Sequence, residues 1–483
     1  MNVYDKLSDP LAFTIFIITL LLPIGVGLAA LIKTKNQSDF FIGGRSMGRF
    51  TVALSAISSG RSSWLVLGLS GMAYSLGAGA IWAIVGYISV EALQFVYLGK
   101  RLREETQKME SITLLDYLES RFSDKKNILR IAGSIIIAIF ITAYVAAQFN
   151  AGAKTLSTAL DISFFVSLVI SGILILVYMV IGGFVAVAYN DVIRAVIMLI
   201  GLVVLPIIGI VKIGGLGILQ EILNNLNPAY LNPLSLSAGV IIGFIGIGLG
   251  SPGQPHKVVR YMSINDSRNL KDSAIIGTFW NIILGTGAVC IGLVGRAIIP
   301  NPGDLPANDP EMIYLVLSSE YFGSAFYGLL VGGVFAAILS TADSQLLVVA
   351  STFVRDVYEK VLKKSIRIGE KEKLYIIRLV VIFSGILSMF LAYIAKDLVF
   401  WLVLFAWGGL GAAFGPSLIL SLYWEKTTKA GILYGMIAGT LITICWKLWF
   451  KEPTGIYELI PAFFGAMLII IIVSMYQISK NKK

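Results

Sequence analysis

Histidine and cysteine are almost absent from this chain. Its 483 residues include one histidine, His256, and two cysteines, Cys290 and Cys445. A single histidine excludes a metal centre built from several imidazoles and a haem held by two. Both cysteines fall in apolar segments, where buried small hydrophobes are expected rather than a disulfide. Charge is scarce too: Asp, Glu, Lys and Arg make up 14%, too little for a soluble protein of this length. No polar stretch is long enough for a soluble domain. Acidic residues are the scarcer sign, 28 against 38 basic, for a net charge of +10. In a soluble chain that surplus would suggest nucleic acid. Here the Lys and Arg gather in short loops between apolar runs, as the positive-inside rule produces, so no nucleic-acid partner is expected.

What is present is hydrophobic sequence, 57% of the chain, with a mean hydropathy of +0.84. Apolar runs near twenty residues recur from end to end, each long enough for a bilayer core of about 30 Å. The expected fold class is an all-α polytopic membrane protein, one transmembrane domain over 1–483 in contact with lipid. About thirteen spans are expected near 10–32, 50–75, 79–99, 128–154, 161–188, 191–212, 236–255, 272–298, 323–350, 374–395, 398–423, 429–450 and 457–478. The N-terminal MNVYDKLSDP lacks the basic region of a cleavable signal, so the first span is expected to be retained. Basic loops containing Arg45, Arg49, Lys100, Arg101, Arg121, Arg130, Arg355 and Lys371, with the Lys480–Lys483 tail, all fall on one side. The opposite loop, 299–322, holds Asp304, Asp309 and Glu311. This predicts a cell-membrane protein with its N-terminus outside and its C-terminus cytoplasmic.

Two spans look broken. The second contains SAISSGRSSW (Ser55–Trp64), with five serines, a glycine and an arginine in ten residues; the seventh contains GFIGIGLGSPGQP (Gly243–Pro255). Such sequence frees backbone groups, which lipid tolerates only where they are buried in protein or line a cavity. Paired interruptions at matching places in two halves point to a transporter site. Two five-span units, 50–212 and 236–423, would run in opposite orientations because five is odd. The single glycine-rich span has a simpler reading, close helix packing, but that reading accounts less well for two at this separation.

The ninth span reads GGVFAAILSTADSQLL. Ser340, Asp343 and Ser344 share one helix face, with Thr341 beside it. Hard cations take oxygen ligands, and these hydroxyls with carbonyls freed at SAISSG form a candidate sodium cage. The competing reading is hydroxyls bonded back to their own helix. Intramembrane charges cost roughly 2.5–3.5 kcal/mol each on insertion scales, so Arg61, Glu91, Asp191, Arg194 and Asp343 stand out. Asp191 is expected at the start of a span, where free N–H groups would satisfy it, or as a cation ligand. Arg194 is expected to snorkel to the interface. A buried pair of Arg61 with Glu91 or Asp343 is expected. In the fourth span Tyr144 and Gln148 lie one turn apart, placed to face a cavity or a neighbouring helix. No metal motif, nucleophile–histidine pair or phosphate loop is present, so no enzymatic activity and no cofactor are expected.

DFFIGGRSMGRF (39–50), YMVIGGFVAVAYND (178–191), GQPHKVVRYM (253–262), AAILSTADSQLL (336–347) and AWGGLGAAFGPSLILSLYW (406–424) resemble the sodium/solute symporter family along nearly the whole chain. Its proline-transporting members come nearest. The resemblance implies a LeuT-type five-plus-five inverted repeat, with extra helices at 10–32 and 429–478. It implies sodium-driven import of a small organic solute, an amino acid or carboxylate, by alternating access. Carried over residue by residue, the main sodium ligands are the carbonyls of Ser58, Arg61 and Ala337 and the hydroxyls of Ser340 and Thr341. A second cation position maps to Asp191, Ser340, Asp343 and Ser344. The solute site maps to Ser59, Gly60, Tyr144, Gln148, Ile247 and Ser251.

The chain also departs from that pattern. The proline transporters have an aspartate at Gly60, an apolar residue at Arg61 and a small uncharged residue at Glu91. They have aromatics at Ile247, Ser251 and Pro252. Lost aromatics alter the solute pocket. Arg61 admits two arrangements: its side chain turns toward Glu91, or its guanidinium replaces sodium beside Asp343 and transport becomes sodium-independent. Retention of Ser340 and Thr341 favours the first. A transporter-like sensor would need a partner protein, because no output domain follows the thirteenth span in this sequence.

Overall fold

The computed structural model describes residues 6–31, 37–179, 184–362, 369–395 and 398–481. Among these, regular structure is helical throughout, apart from one isolated bridge between Met47 and Ile264. Helices are what lipid demands, because each satisfies its backbone groups within itself. Among the described residues nine helices are long and apolar enough to cross a membrane, and three shorter apolar helices accompany them.

Several boundaries differ from the hydropathy reading. The fifth span is helix Phe164–Met179, and the sixth is Phe184–Ile213, so 184–188 belong to the sixth span. The apolar run is continuous here, and hydropathy alone does not locate a break within it. Residues 180–183 lie outside the described residues. The seventh span runs past its expected end at 255. Helix Ala238–Gly246 passes into a 3-10 segment, Ile247–Gly253, then into helix Pro255–Ser263. Pro255 suits a first helical position, where its missing N–H costs nothing. The polar residues that follow it made this half look like a loop. The third and ninth spans also continue past their expected ends, to Lys108 and Leu362.

The two broken spans lie against the most enclosed helices, the ninth (Ser324–Ser351) and the eleventh (Val399–Tyr423). Glycine makes this possible where the third and seventh spans cross. A Cβ on Gly248 would lie 2.2 Å from the carbonyl oxygen of Gly86, so the backbones touch. Arg130 pairs with Asp116, Glu119 and Asp356 and ties three helical segments together. In the 299–322 connection, the Glu311 carboxylate accepts from the N–H groups of Val399 and Phe400, both at 2.9 Å, and from Lys154 Nζ at 2.9 Å. It thereby caps the eleventh span. Cys290 and Cys445 are unpaired and half-buried, less enclosed than expected.

Candidate sodium and solute site

Helix Arg49–Gly60 stops at Arg61, whose backbone (φ −116°, ψ 62°) leaves the helical region. The Arg61 N–H donates to the Ser58 carbonyl at 3.2 Å. The serines before the break face the ninth span. The Ser58 and Ser340 hydroxyls are 2.8 Å apart, and those of Ser59 and Ser344 are 3.0 Å apart. Thr341 Oγ1 donates to the Ser59 carbonyl at 3.1 Å. Of the three ninth-span hydroxyls, only that of Ser344 bonds back to its own helix, donating to the Ser340 carbonyl at 2.8 Å. Ala337 lies one turn before Thr341 and is buried. Polar side chains at helical spacing thus converge on freed backbone, which is why this stretch is rich in serine.

Asp191 is not at a helix start. Its helix begins at Phe184, about two turns earlier, so helix-end N–H groups do not satisfy it. Asp191 Oδ2 instead accepts from Ser55 Oγ at 2.7 Å, Ser59 Oγ at 3.0 Å and Arg260 Nη2 at 3.2 Å. Arg194 does not snorkel either: it is fully buried, with Nη1 2.8 Å from Asp343 Oδ2 and 3.9 Å from Asp191 Oδ1. A carboxylate one helix away holds it inward. Arg260 also donates to Ser55 Oγ at 3.1 Å and to Ser344. The residues expected around a second cation therefore do meet, and two guanidinium groups lie among them. Arg260 was overlooked because it lies beyond the expected end of its span.

Arg61 turns toward Glu91. Its Nη2 lies 3.6 Å from Glu91 Oε2, and its Nε donates to Asn281 Oδ1 at 2.9 Å. The guanidinium carbon sits 3.3 Å from the Tyr87 ring centroid, a close cation–π contact. Asp343, the other expected acceptor, is paired with Arg194. Glu91 is shared: Oε2 accepts from Asn281 Nδ2 at 2.5 Å, and Oε1 pairs with Lys257 Nζ. Lys257 Nζ also donates to Tyr87 OH at 2.7 Å and to Ser251 Oγ at 3.0 Å. Lys257, Tyr87 and Asn281 went unnoticed in the sequence, although two signals were available. Tyr87 precedes Glu91 by one turn, and Asn281 is an isolated amide in an apolar helix. A Cβ on Gly60 would lie 2.5 Å from Tyr87 OH and 3.2 Å from Lys257 Cδ, so a larger residue does not fit here without movement of those side chains.

The remaining expected solute residues divide into two groups. Gln148 Oε1 accepts from Ser63 Oγ at 3.0 Å, and Tyr144 stands edge-on to His256 with ring centroids 6.0 Å apart. Both therefore reach the breaks. Ile247 presents its carbonyl, which accepts from Trp407 Nε1 at 2.9 Å. Ser251 engages Gln94, whose Nε2 donates to the Ser251 carbonyl at 3.2 Å. These two residues hold the seventh-span break in place.

The profile of the sodium:solute symporter family matches residues 40–439. The sodium/proline symporter of Staphylococcus aureus is 34% identical over 455 residues, covering 91% of this chain and 88% of that protein. Among solved structures, a Na+-coupled sialic acid symporter in its substrate-bound outward-open state aligns over 96% of this chain and 98% of its own, with a TM-score of 0.80 at 21% identity. A nucleobase-cation-symport-1 family transporter with bound bromovinylhydantoin gives a TM-score of 0.54 at 13% identity, over 92% and 96%. The two structures share the fold; the profile and the proline symporter carry the assignment, and the chain belongs to the sodium:solute symporter family.

Proposed function

We propose that this protein imports a small organic solute, such as proline, another amino acid or a carboxylate, together with sodium by alternating access. The proposed architecture is a LeuT-type inverted repeat, 50–212 and 236–423, flanked by 10–32 and 429–478. Its N-terminus lies outside and its C-terminus in the cytoplasm. Sodium is held by the carbonyls of Ser58, Arg61 and Ala337 and by the hydroxyls of Ser340 and Thr341. The observation that carries this reading is the ninth-span hydroxyl face lying directly on the second-span break, at 2.8 and 3.1 Å. Sodium there bridges the two elements and orders the solute site beside it. The turn of Arg61 toward Glu91 keeps its charge off this position and supports coupling over replacement. With arginines on Asp191 and Asp343, we propose one sodium ion per cycle.

Each net charge moved inward gains about 2.3 kcal/mol per 100 mV of membrane potential, so sodium entry with a neutral solute draws on the potential and the sodium gradient, and with a monoanion on the gradient alone. The test is uptake into proteoliposomes under an inward sodium gradient, with and without an inside-negative potential. The sodium gradient should raise the initial rate and choline in place of sodium should abolish it; the potential should raise it further for a solute without net charge and leave it unchanged for a monoanion. Equal rates in sodium and choline would exclude coupling.

A further inference from the structure

We infer that the transported solute is a small monocarboxylate of net charge −1, its carboxylate received by the Arg61 guanidinium and the Gln148 amide. This rests on the transport reading above and names the chemistry of its solute. Three observations converge on it.

The first is a set of donors without acceptors. Arg61 is 1% exposed and Gln148 0%. Arg61 Nη1 and Nη2 and Gln148 Nε2 have no hydrogen-bond partner among the described residues. Both side chains belong to the second-span break: Arg61 opens it, and Gln148 is tied to Ser63 at its far end. Buried donors left unmade are costly, and more so on a charged group. A guanidinium whose two Nη groups make no hydrogen bond, Nη2 facing Glu91 Oε2 only at 3.6 Å, matches a carboxylate, which accepts through two oxygens.

The second is charge. Among the buried groups here, Arg194 and Arg260 balance Asp191 and Asp343. Arg61 and Lys257 face the single carboxylate of Glu91. Before sodium binds, the surplus is one positive charge, which one anion offsets.

The third is the absence of a place for a second, cationic end. The ammonium of an amino acid needs a carboxylate, and each of the three nearby already faces a cationic side chain. Both oxygens of Glu91 serve Lys257 and Asn281, while Asp191 and Asp343 each pair with an arginine whose charge opposes an ammonium at the remaining oxygen, Oδ1. Gly60 offers no side chain to this region, and the space beside it is filled by Tyr87 and Lys257.

The test uses the purified full-length protein in detergent and matched pairs of ligands: acetate and glycine, lactate and alanine, tetrahydro-2-furoate and proline, with lactamide as the neutral control. Thermal unfolding midpoints are titrated with each in sodium chloride and in choline chloride. At least one monocarboxylate should raise the midpoint saturably in sodium, while its amino-acid partner and lactamide do not. Arg61→Gln should weaken that carboxylate about tenfold or more, and Gln148→Leu, a milder change, should weaken it in the same direction. An amino acid that binds where its carboxylate partner does not overturns the inference, as does a panel in which no monocarboxylate shifts the midpoint. Neither depends on a variant that folds. A carboxylate shift equal in sodium and choline keeps the solute class and removes only the coupling.

Discussion

Glu91 is the residue whose loss this structure makes most costly. Its carboxylate is 1% exposed and answers two cations, Lys257 at 0% and Arg61 at 1%. It also accepts from Asn281. Removing one partner of a buried pair costs about 3–5 kcal/mol, because the survivor remains charged and desolvated. Two survivors place Glu91→Ala in the upper half of that range. Glu91→Gln keeps the shape and a carbonyl acceptor, yet still leaves both cations without a counter-charge, so most of the loss should persist. Glu91→Gln with Lys257→Met removes one charge of each sign and should recover at least half of it, since replacing both partners of a buried pair is often near neutral. Equilibrium unfolding in mixed micelles, followed by tryptophan emission, reads these differences; Trp407 lies 5.7 Å from Lys257 Nζ and so reports on the cluster directly. A loss below about 1 kcal/mol for Glu91→Ala would refute the reasoning, because it would mean that water already solvates these charges.

Other predictions follow from individual contacts. Ser340→Ala with Thr341→Ala should raise the sodium concentration for half-maximal uptake several-fold, by removing two of five proposed ligands; unchanged sodium dependence would remove both residues from the site. Glu311→Gln should destabilise the start of the eleventh span by about 1–3 kcal/mol, since the Val399 and Phe400 N–H groups and Lys154 lose a charged acceptor, and hydrogen exchange there should rise. Arg130→Ala should free the carboxylates of Asp116 and Asp356, both at most 6% exposed, and lower stability by about 3–5 kcal/mol; a change within error would show that the cluster is solvated.

Much of this site was visible in the residues. The two breaks, the hydroxyl face of the ninth span and the Arg61–Glu91 pair all follow from a single consideration, that polar groups in lipid must find one another. What was missed follows from the same physics applied too locally. Hydropathy ends the seventh span at Pro255, because lysine and arginine look like loop. The fold pairs them with carboxylates on other helices, and so keeps Lys257 and Arg260 buried. Arg194 was misplaced for the same reason: its partner, Asp343, is 149 positions away in the chain. Asp191 looked like a helix start only because the apolar run before it hid where the sixth span begins. Periodicity identifies the face a side chain lies on, but not the helix opposite.

The central claim is a sodium site between the second-span break and the ninth span. It is tested most directly by thermal unfolding of the purified protein in sodium chloride against choline chloride at equal ionic strength, with no solute added. A ligand that binds only the folded state raises stability by mass action. A saturable, sodium-specific rise is expected in the wild type and should be reduced in Ser340→Ala with Thr341→Ala. Equal midpoints in the two salts for the wild type, at every concentration, would contradict it.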